Sequence, residues 1–210
     1  MTKVLVLGAS GRIAGLVIDM LAERGDVTLT LLARDINRIA SVPAGASVIA
    51  GDVNDRETLA RAVRGQDVVY ANLAGDIDSQ ARAVVEVMEA GGVRRLIFVT
   101  ALGIYDEVPG EFGRWNRESI GAATLATYAA ASDAVEASSL DYTVLRPAWL
   151  SDAEEVAYEI TQRDEPFRGT TVSRASVAAL IADIVAHPEK HVRENLGVNK
   201  PGTDGERPVW

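Results

Sequence analysis

Val4-Leu5-Val6-Leu7-Gly8-Ala9-Ser10-Gly11-Arg12-Ile13-Ala14-Gly15 decides the fold of this 210-residue chain. The four apolar residues read as a strand buried on both faces, and the glycines lead into apolar residues at helical spacing. A buried strand, a glycine turn and a helix N-terminus together build a site for a nucleotide's pyrophosphate. Gly8 permits the tight turn after the strand, and Gly11 lets the backbone approach phosphate oxygens without a Cβ in the way. Free first-turn N–H groups and the helix dipole supply the attraction. The spacing here, G-x-x-G-x-x-A, departs from the strict G-x-G-x-x-G. The position of the glycines carries the reading, not their pattern.

Outward from this turn, apolar runs alternate with helical patterns as far as Pro147, the layout of a parallel sheet with helices on both faces. The predicted strands are Lys3 to Leu7, Thr28 to Ala33, Ser47 to Ala50, Asp67 to Leu73, Arg95 to Thr100 and Tyr142 to Arg146. Helices are predicted at Ile13 to Arg24, Ile36 to Ser41, Arg56 to Val63, Ser79 to Ala90 and Ser119 to Ser138, with Gly25, Gly65 and Gly91 as C-terminal stops. The expected fold is a doubly wound, three-layer α/β/α Rossmann unit with strand order 3-2-1-4-5-6. A seventh strand is expected at Asn195 to Val198. One domain spans residues 1–210, with a small irregular substrate-side region at about 148–173. That region predicts a hairpin from Ala157 to Val172 around Asp164-Glu165-Pro166, then a helix from Arg174 to Ala186 capped by Ser173.

Composition narrows the chemistry. The absence of Cys excludes disulfides, thiolate catalysis and cysteine-ligated metals. Both histidines, His187 and His191, fall in one polar turn, so no metal site is expected. A formal net charge of −9 with scattered cations offers no basic face to a nucleic-acid backbone. No apolar run approaches the length of a membrane span, and the N-terminus enters a strand without a basic leader segment. A cytoplasmic protein without nucleic-acid or membrane partners is expected.

The second strand bears on cofactor choice. An acidic residue about 20 positions after the glycines bonds a ribose 2′-OH, whereas an Arg there accommodates a 2′-phosphate. Here the strand ends Leu31-Leu32-Ala33-Arg34, and Arg38 follows one helical turn later. Asp35 has two readings: it meets a ribose, or it caps the helix that begins beside it. Two arginines outweigh it, because charge-assisted bonds of about 1.5 to 3 kcal/mol each favour NADP(H) by roughly a hundredfold. The bland reading is a solvated, charged helix start.

With the glycine turn, Ala33-Arg34-Asp35, Gly51-Asp52-Val53, Leu73-Ala74-Gly75, Phe98-Val99-Thr100 and Leu145-Arg146-Pro147 in order, the chain resembles the atypical short-chain dehydrogenases of the NAD(P)H-binding, NmrA-like group. It is most similar to the small flavin reductase (biliverdin reductase B) members, and the resemblance extends to Thr171-Val172-Ser173-Arg174-Ala175-Ser176-Val177-Ala178 before the last helix. It implies that Gly8, Ser10, Gly11, Arg12 and Ile13 wrap the pyrophosphate, that Arg34 and Arg38 take the 2′-phosphate, and that Asp52 and Val53 border the adenine. Leu73, Ala74 and Gly75 would run beneath the nicotinamide-side ribose, Thr100 would sit beside the nicotinamide, and Pro147 and Trp149 would close that end. Each has a bland alternative: Asp52 caps a turn, Trp149 is a core or lid aromatic. Strand-end position favours a ligand role for Asp52, Gly75, Thr100 and Pro147.

The resemblance also defines what is missing. Short-chain dehydrogenases typically carry Tyr-x-x-x-Lys on the helix after the fifth strand, but the lysines here are Lys3, Lys190 and Lys200 alone. Tyr128 is followed four positions on by Ser132; counted back from Arg146-Pro147, Tyr128 falls nearer the Lys position and Thr124 nearer the Tyr position. A phenol of pKa about 10 donates poorly at neutral pH without such help. The expected reaction is hydride transfer from NADPH to an acceptor that needs no protein acid, a flavin or quinone, with Thr100 and Tyr105 positioning nicotinamide and acceptor. The loop 101–112 leaves the fifth strand over this site; Phe112 and Trp115 either stack on the acceptor or pack down as a lid, and the lid is favoured. Arg146 is expected to be structural. The alternative function is a redox sensor that binds NADP(H) and signals to a protein partner without turnover.

Overall fold

The computed structural model describes residues 1–210. Its strands in chain order are β1 (Thr2–Leu7), β2 (Val27–Ala33), β3 (Ser47–Ala50), β4 (Val68–Ala71), β5 (Arg95–Val99), β6 (Asp141–Pro147), β7 (Trp149–Ser151), β8 (Glu159–Thr161), β9 (Thr171–Ser173) and β10 (Glu194–Asn199). The helices are α1 (Arg12–Ala22), α2 (Arg56–Val63), α3 (Ile77–Gly91), α4 (Gly110–Ile120), α5 (Ala122–Glu136) and α6 (Arg174–Ala186). The main sheet runs β3-β2-β1-β4-β5-β6-β10-β8, parallel except for the β8 edge. This is the expected Rossmann order, and β10 supplies the seventh strand against β6.

The alternation of β1 shows why the sheet needs two helical layers. Val4 and Val6 enter the core under α1 and α6, and Leu5 and Leu7 enter the core under α2, α3 and α5. β4 and β5 are buried at every position for the same reason. α1 presents Ile13, Ala14, Val17, Ile18 and Leu21 as one apolar stripe toward the sheet. Packing of these stripes leaves the carboxyl ends of β1 to β6 as the one edge where loops converge.

Several boundaries differ from the sequence reading. The helix expected from Ser119 to Ser138 is two helices, because Gly121 sits at φ +88° and turns the chain between α4 and α5. The loop over the fifth strand therefore ends at Pro109, and Gly110 to Phe112 belong to α4. Ile36 to Ser41 shortens to a single 3-10 turn, Ile36–Arg38, because Asp35 bonds the Asn37 amide at 3.0 Å and no apolar side chain there is buried. The strand from Asp67 to Leu73 is cut to Val68–Ala71. The predicted hairpin does not form: β8 pairs antiparallel with β10 and β9 pairs parallel with β7, so the two halves of 157–172 join different sheets. Of the three glycine stops, α1 ends earlier on Glu23, and α3 ends at Gly91 with the left-handed residue at Gly92. Ser173 caps α6 as expected, accepting the Ser176 amide at 2.9 Å.

Candidate functional site

A groove of about 370 Å³ lies at the carboxyl ends of β1 to β4. It is lined by Gly8, Ser10, Gly11, Arg34, Arg38, Asp52, Val53, Leu73 and Ala74, all singled out in the sequence, together with Asn72, Gln80 and Asp35. Strand-end loops on either side of a reversal in strand order leave such a crevice in any open α/β sheet.

The glycine turn is built for close approach. Gly8 sits at φ +77°, and its amide and that of Ala9 both donate to the Leu32 carbonyl, at 3.0 and 3.1 Å. A Cβ on Gly8 would lie 2.2 Å from the Asn72 carbonyl oxygen, and one on Gly11 would lie 2.3 Å from the Asn72 amide nitrogen. α1 begins at Gly11 with no side-chain cap, and the amides of Arg12, Ile13 and Ala14 have no acceptor within the chain. α2 and α6 carry side-chain caps, Asp55 and Ser173, whereas α3, α4 and α5 begin, like α1, without one. A helix N-terminus left uncapped beside a groove is the arrangement that receives an anion.

On the far side of the turn, Arg34 and Arg38 are exposed, line the groove and carry no ion pair. Asp35 spends a carboxylate oxygen on the Asn37 amide, and Asp52 accepts the Asn54 amide at 2.8 Å. The capping reading of each holds alongside its place in the groove wall. Gln80 on α3 is 7% exposed; its amide nitrogen donates to the Ala74 carbonyl at 3.3 Å, and its Oε1 has no partner. Glycines that a Cβ would fill, unpaired amides, two free guanidiniums and an orphaned acceptor fit a phosphorylated dinucleotide.

Other expected residues stand outside this wall. Ile13 is buried in the core and Gly75 is exposed at φ +92° beyond β4. Arg12 aims its guanidinium at Asp152 and lines a separate cleft. Thr100 is buried at the end of β5, where its Oγ1 donates to the Leu145 carbonyl at 3.1 Å. Pro147 ends β6, its carbonyl accepting the Leu102 amide at 3.3 Å.

The structure does not bring Tyr105 to the groove. Its hydroxyl donates to Glu136 Oε1 at 2.6 Å and accepts from Asn195 at 3.2 Å, while Arg163 lies 4.1 Å from the ring centroid. Burial first, then the bond to Glu136, pushes the phenol up to about 12. Arg146, fully buried, pairs with Glu107 and donates to Asn195 Oδ1 at 2.7 Å and the Gln162 carbonyl at 3.2 Å, the structural role expected of it. Glu107 in turn accepts the amides of Gly103 and Tyr105 at 2.9 and 3.0 Å, so the loop after β5 hangs on this pair. Phe112 stacks on Trp115 at a centroid distance of 6.0 Å, Trp115 meets Trp149 at 4.8 Å with the rings tilted by 48°, and Trp149 donates to Asn116 at 2.9 Å. They form a packed aromatic ledge.

Asn72 and Gln80 escaped the sequence reading. A polar residue ending the fourth strand beside Leu73-Ala74-Gly75 was a usable signal for Asn72; Gln80 looks like any solvated helix position.

With this geometry in place, comparison with known proteins is direct. The family described as NAD(P)H-binding matches residues 8–188. The chain is 48% identical to a Rossmann-fold NAD(P)-binding family protein from Shigella flexneri, with a TM-score of 0.86 over 100% of this chain and 99% of that one. A short-chain dehydrogenase/reductase (wide type) from Veillonella parvula, solved in complex with NADP, is 27% identical with a TM-score of 0.94 over 100% and 99% of the two chains. An uncharacterized sugar epimerase, YhfK of Bacillus subtilis, is 27% identical over 99% of this chain and 96% of that protein. The chain spans about half the length or less of larger relatives, among them the NAD(P)H azoreductase of Xenophilus azovorans, 29% identical over 55% of this chain and 41% of that protein. No helix is long and apolar enough to cross a membrane.

Proposed function

The chain belongs to the NAD(P)H-binding family, and from that premise we propose that it is an NADPH-dependent oxidoreductase that passes hydride to a flavin, quinone or similar conjugated acceptor. The observation that carries the reading is the groove in which an uncapped helix start and two unpaired arginines face one cavity. The backbone amides of Arg12 and Ile13, with Gly8, Ser10 and Gly11, would hold the pyrophosphate. Arg34 and Arg38 would take a 2′-phosphate, Asp52 and Val53 would flank the adenine, and Gln80 Oε1 would accept from its exocyclic amino group. Leu73, Ala74 and Gly75 would support the second ribose, with Thr100 and Pro147 at the nicotinamide end.

When bound, the reduced nicotinamide supplies a hydride, two electrons and one proton, and the acceptor's second proton comes from water. The chain's own groups support a reaction without a protein acid. Thr100 spends its hydroxyl proton on Leu145, which leaves its oxygen as an acceptor. Tyr105 holds its proton toward Glu136 with its pKa at about 12, which makes it a poor donor at neutral pH. We therefore assign Tyr105 to the scaffold under the loop after β5.

Purified protein mixed with NADPH and a panel of flavins and quinones tests the reading. Loss of the reduced-nicotinamide absorbance above background supports a reductase; tight NADPH binding with no turnover on any acceptor replaces it with a sensor that acts on a protein partner. Arg34→Ala is expected to weaken NADPH binding by roughly ten- to a hundredfold while leaving NADH binding little changed. Equal losses for both nucleotides would sink the 2′-phosphate assignment.

A further inference from the structure

Asp152 stands where two neighbouring helices begin. It follows β7, and the chain beyond it is pinned to the start of α6: the Ser173 hydroxyl donates to the Glu155 carbonyl at 2.6 Å, and the Ala157 amide donates to Ser176 Oγ at 3.0 Å. α1 and α6 pack side by side, with Arg12 and Arg174 as their first residues. The Asp152 carboxylate pairs with both guanidiniums, with Arg174 at 2.6 Å.

The two pairs are unequal. The Arg174 side chain is 18% exposed and also reaches the Leu150 carbonyl at 3.4 Å, so it is held in place. The Arg12 side chain is 66% exposed and has Asp152 as its one ion-pair partner. Pairs as open as this contribute little to stability and are easily exchanged. The hydrogen bond from Arg12, ahead of the charge of Arg174, holds the Asp152 carboxyl below the usual carboxylate range, so it is anionic at neutral pH. Arg12 also has a second acceptor open to it. It is the first residue of α1, where side chains lean back toward the helix start, and the amides free to receive a pyrophosphate are its own and those of Ile13 and Ala14. When Arg12 turns to an anion there, Arg174 keeps the carboxylate partnered and no charge is stranded.

We propose that Asp152 is a resident competitor for Arg12 that sets the affinity and the release of the dinucleotide: an incoming pyrophosphate takes the Arg12 guanidinium from Asp152, and Asp152 reclaims it as the nucleotide leaves. The assignment rests on the dinucleotide reading of the groove. Asp152 touches no ligand in this scheme; it acts through Arg12 and is a positioning residue.

Asp152→Asn, a near-isosteric loss of charge, tests this by titration calorimetry with NADP⁺ and with NAD⁺. It is expected to tighten both by roughly two- to fivefold, the span of an exposed ion pair, because both carry the pyrophosphate. Slower release, followed by stopped flow, should account for most of the gain. Asp152→Glu is expected to restore wild-type affinity. Arg12→Gln is expected to weaken both nucleotides several-fold, and Arg12→Gln combined with Asp152→Asn to bind as Arg12→Gln alone does. That comparison separates competition from a simple field: a carboxylate that only repelled the phosphates would tighten binding equally with or without Arg12. Both side chains are exposed, so melting temperatures should stay within a few degrees of wild type. Unchanged affinity in Asp152→Asn, tightening confined to NADP⁺, or equal tightening in the Arg12→Gln background overturns the proposal and leaves the groove reading standing. Wild-type protein that binds neither nucleotide overturns the groove reading, and the competition with it.

Discussion

Around the β1–α1 turn, the first amides of α1, the guanidiniums of Arg34 and Arg38 and Gln80 Oε1 have no partner inside the chain. Around Tyr105 the reverse holds: the phenol, Glu136, Asn195, Ser132, Glu107 and Arg146 bond one another at nearly every available atom. Both regions are polar and both lie on the loop side of the sheet. A saturated network has no capacity left for a ligand without first breaking a bond, so it acts as scaffold. An unsaturated one leaves the buried Gln80 Oε1 at a desolvation cost and the exposed guanidiniums free to take a ligand without breaking an internal bond. Unpaired atoms alone do not mark a site, since the Tyr70 hydroxyl is also orphaned, deep in the core and away from any cavity. The combination with an open cavity does.

The largest effect should come from breaking the saturated side. Arg146→Ala strips a fully buried guanidinium from Glu107, itself 6% exposed, and leaves a buried carboxylate unpaired. Such a change costs about 3 to 5 kcal/mol. Denaturant unfolding should show that loss, while the folded fraction binds NADPH with wild-type affinity. A variant of unchanged stability would mean that the network is not the scaffold described.

Gly11→Ala works in the opposite sense. Its backbone, at φ −74°, suits alanine, and the new Cβ meets the far end of the Asn72 side chain at 2.3 Å and the Gly8 carbonyl oxygen at 3.2 Å. NADPH affinity should fall about tenfold with the melting temperature within a few degrees of wild type. Gln80→Leu should have a smaller effect, confined to the base: a roughly three- to tenfold loss for the adenine dinucleotide and little for its hypoxanthine analogue, which presents an acceptor where adenine presents an amino group. Isothermal titration with the two nucleotides separates these outcomes.

The same contrast explains what the sequence could disclose. The strand order and the groove wall were legible because buried strands, strand-end glycines and helix periods are local patterns, each readable within about ten residues. Gly8, Gly11, Arg34, Arg38 and Asp52 fall in such patterns. The network that holds the Tyr105 hydroxyl was hidden because its partners, Glu136 and Asn195, lie 31 and 90 residues away. Nothing near Tyr105 in the chain announces them. The β7–β9 pairing that replaces the expected hairpin is equally non-local. Gln80 shows the limit from the other side: an amide on a helix gains meaning only when its burial is known.

Tyr105→Phe is the finest test of the comparison, because it removes one hydroxyl from the saturated network and nothing from the groove. At neutral pH the loss should be about 1 kcal/mol, and NADPH oxidation should change by less than about twofold. The pH dependence identifies the cause. Burial and Glu136 raise the folded-state pKa to about 12, above an unfolded value of about 10. A group whose pKa rises on folding contributes stability that is complete below the unfolded value and is lost as pH climbs through the folded one. The stability difference between wild type and Tyr105→Phe should therefore stay constant up to about pH 10, then shrink and change sign as the pH climbs from roughly 10 to 12, because a shift of that size outweighs the hydroxyl's contribution of about 1 kcal/mol. Tyr70, whose burial also raises its pKa, titrates alike in both proteins and cancels from the difference. A variant that keeps its stability but loses turnover a hundredfold or more would return Tyr105 to the chemistry and undo the division between saturated scaffold and open site.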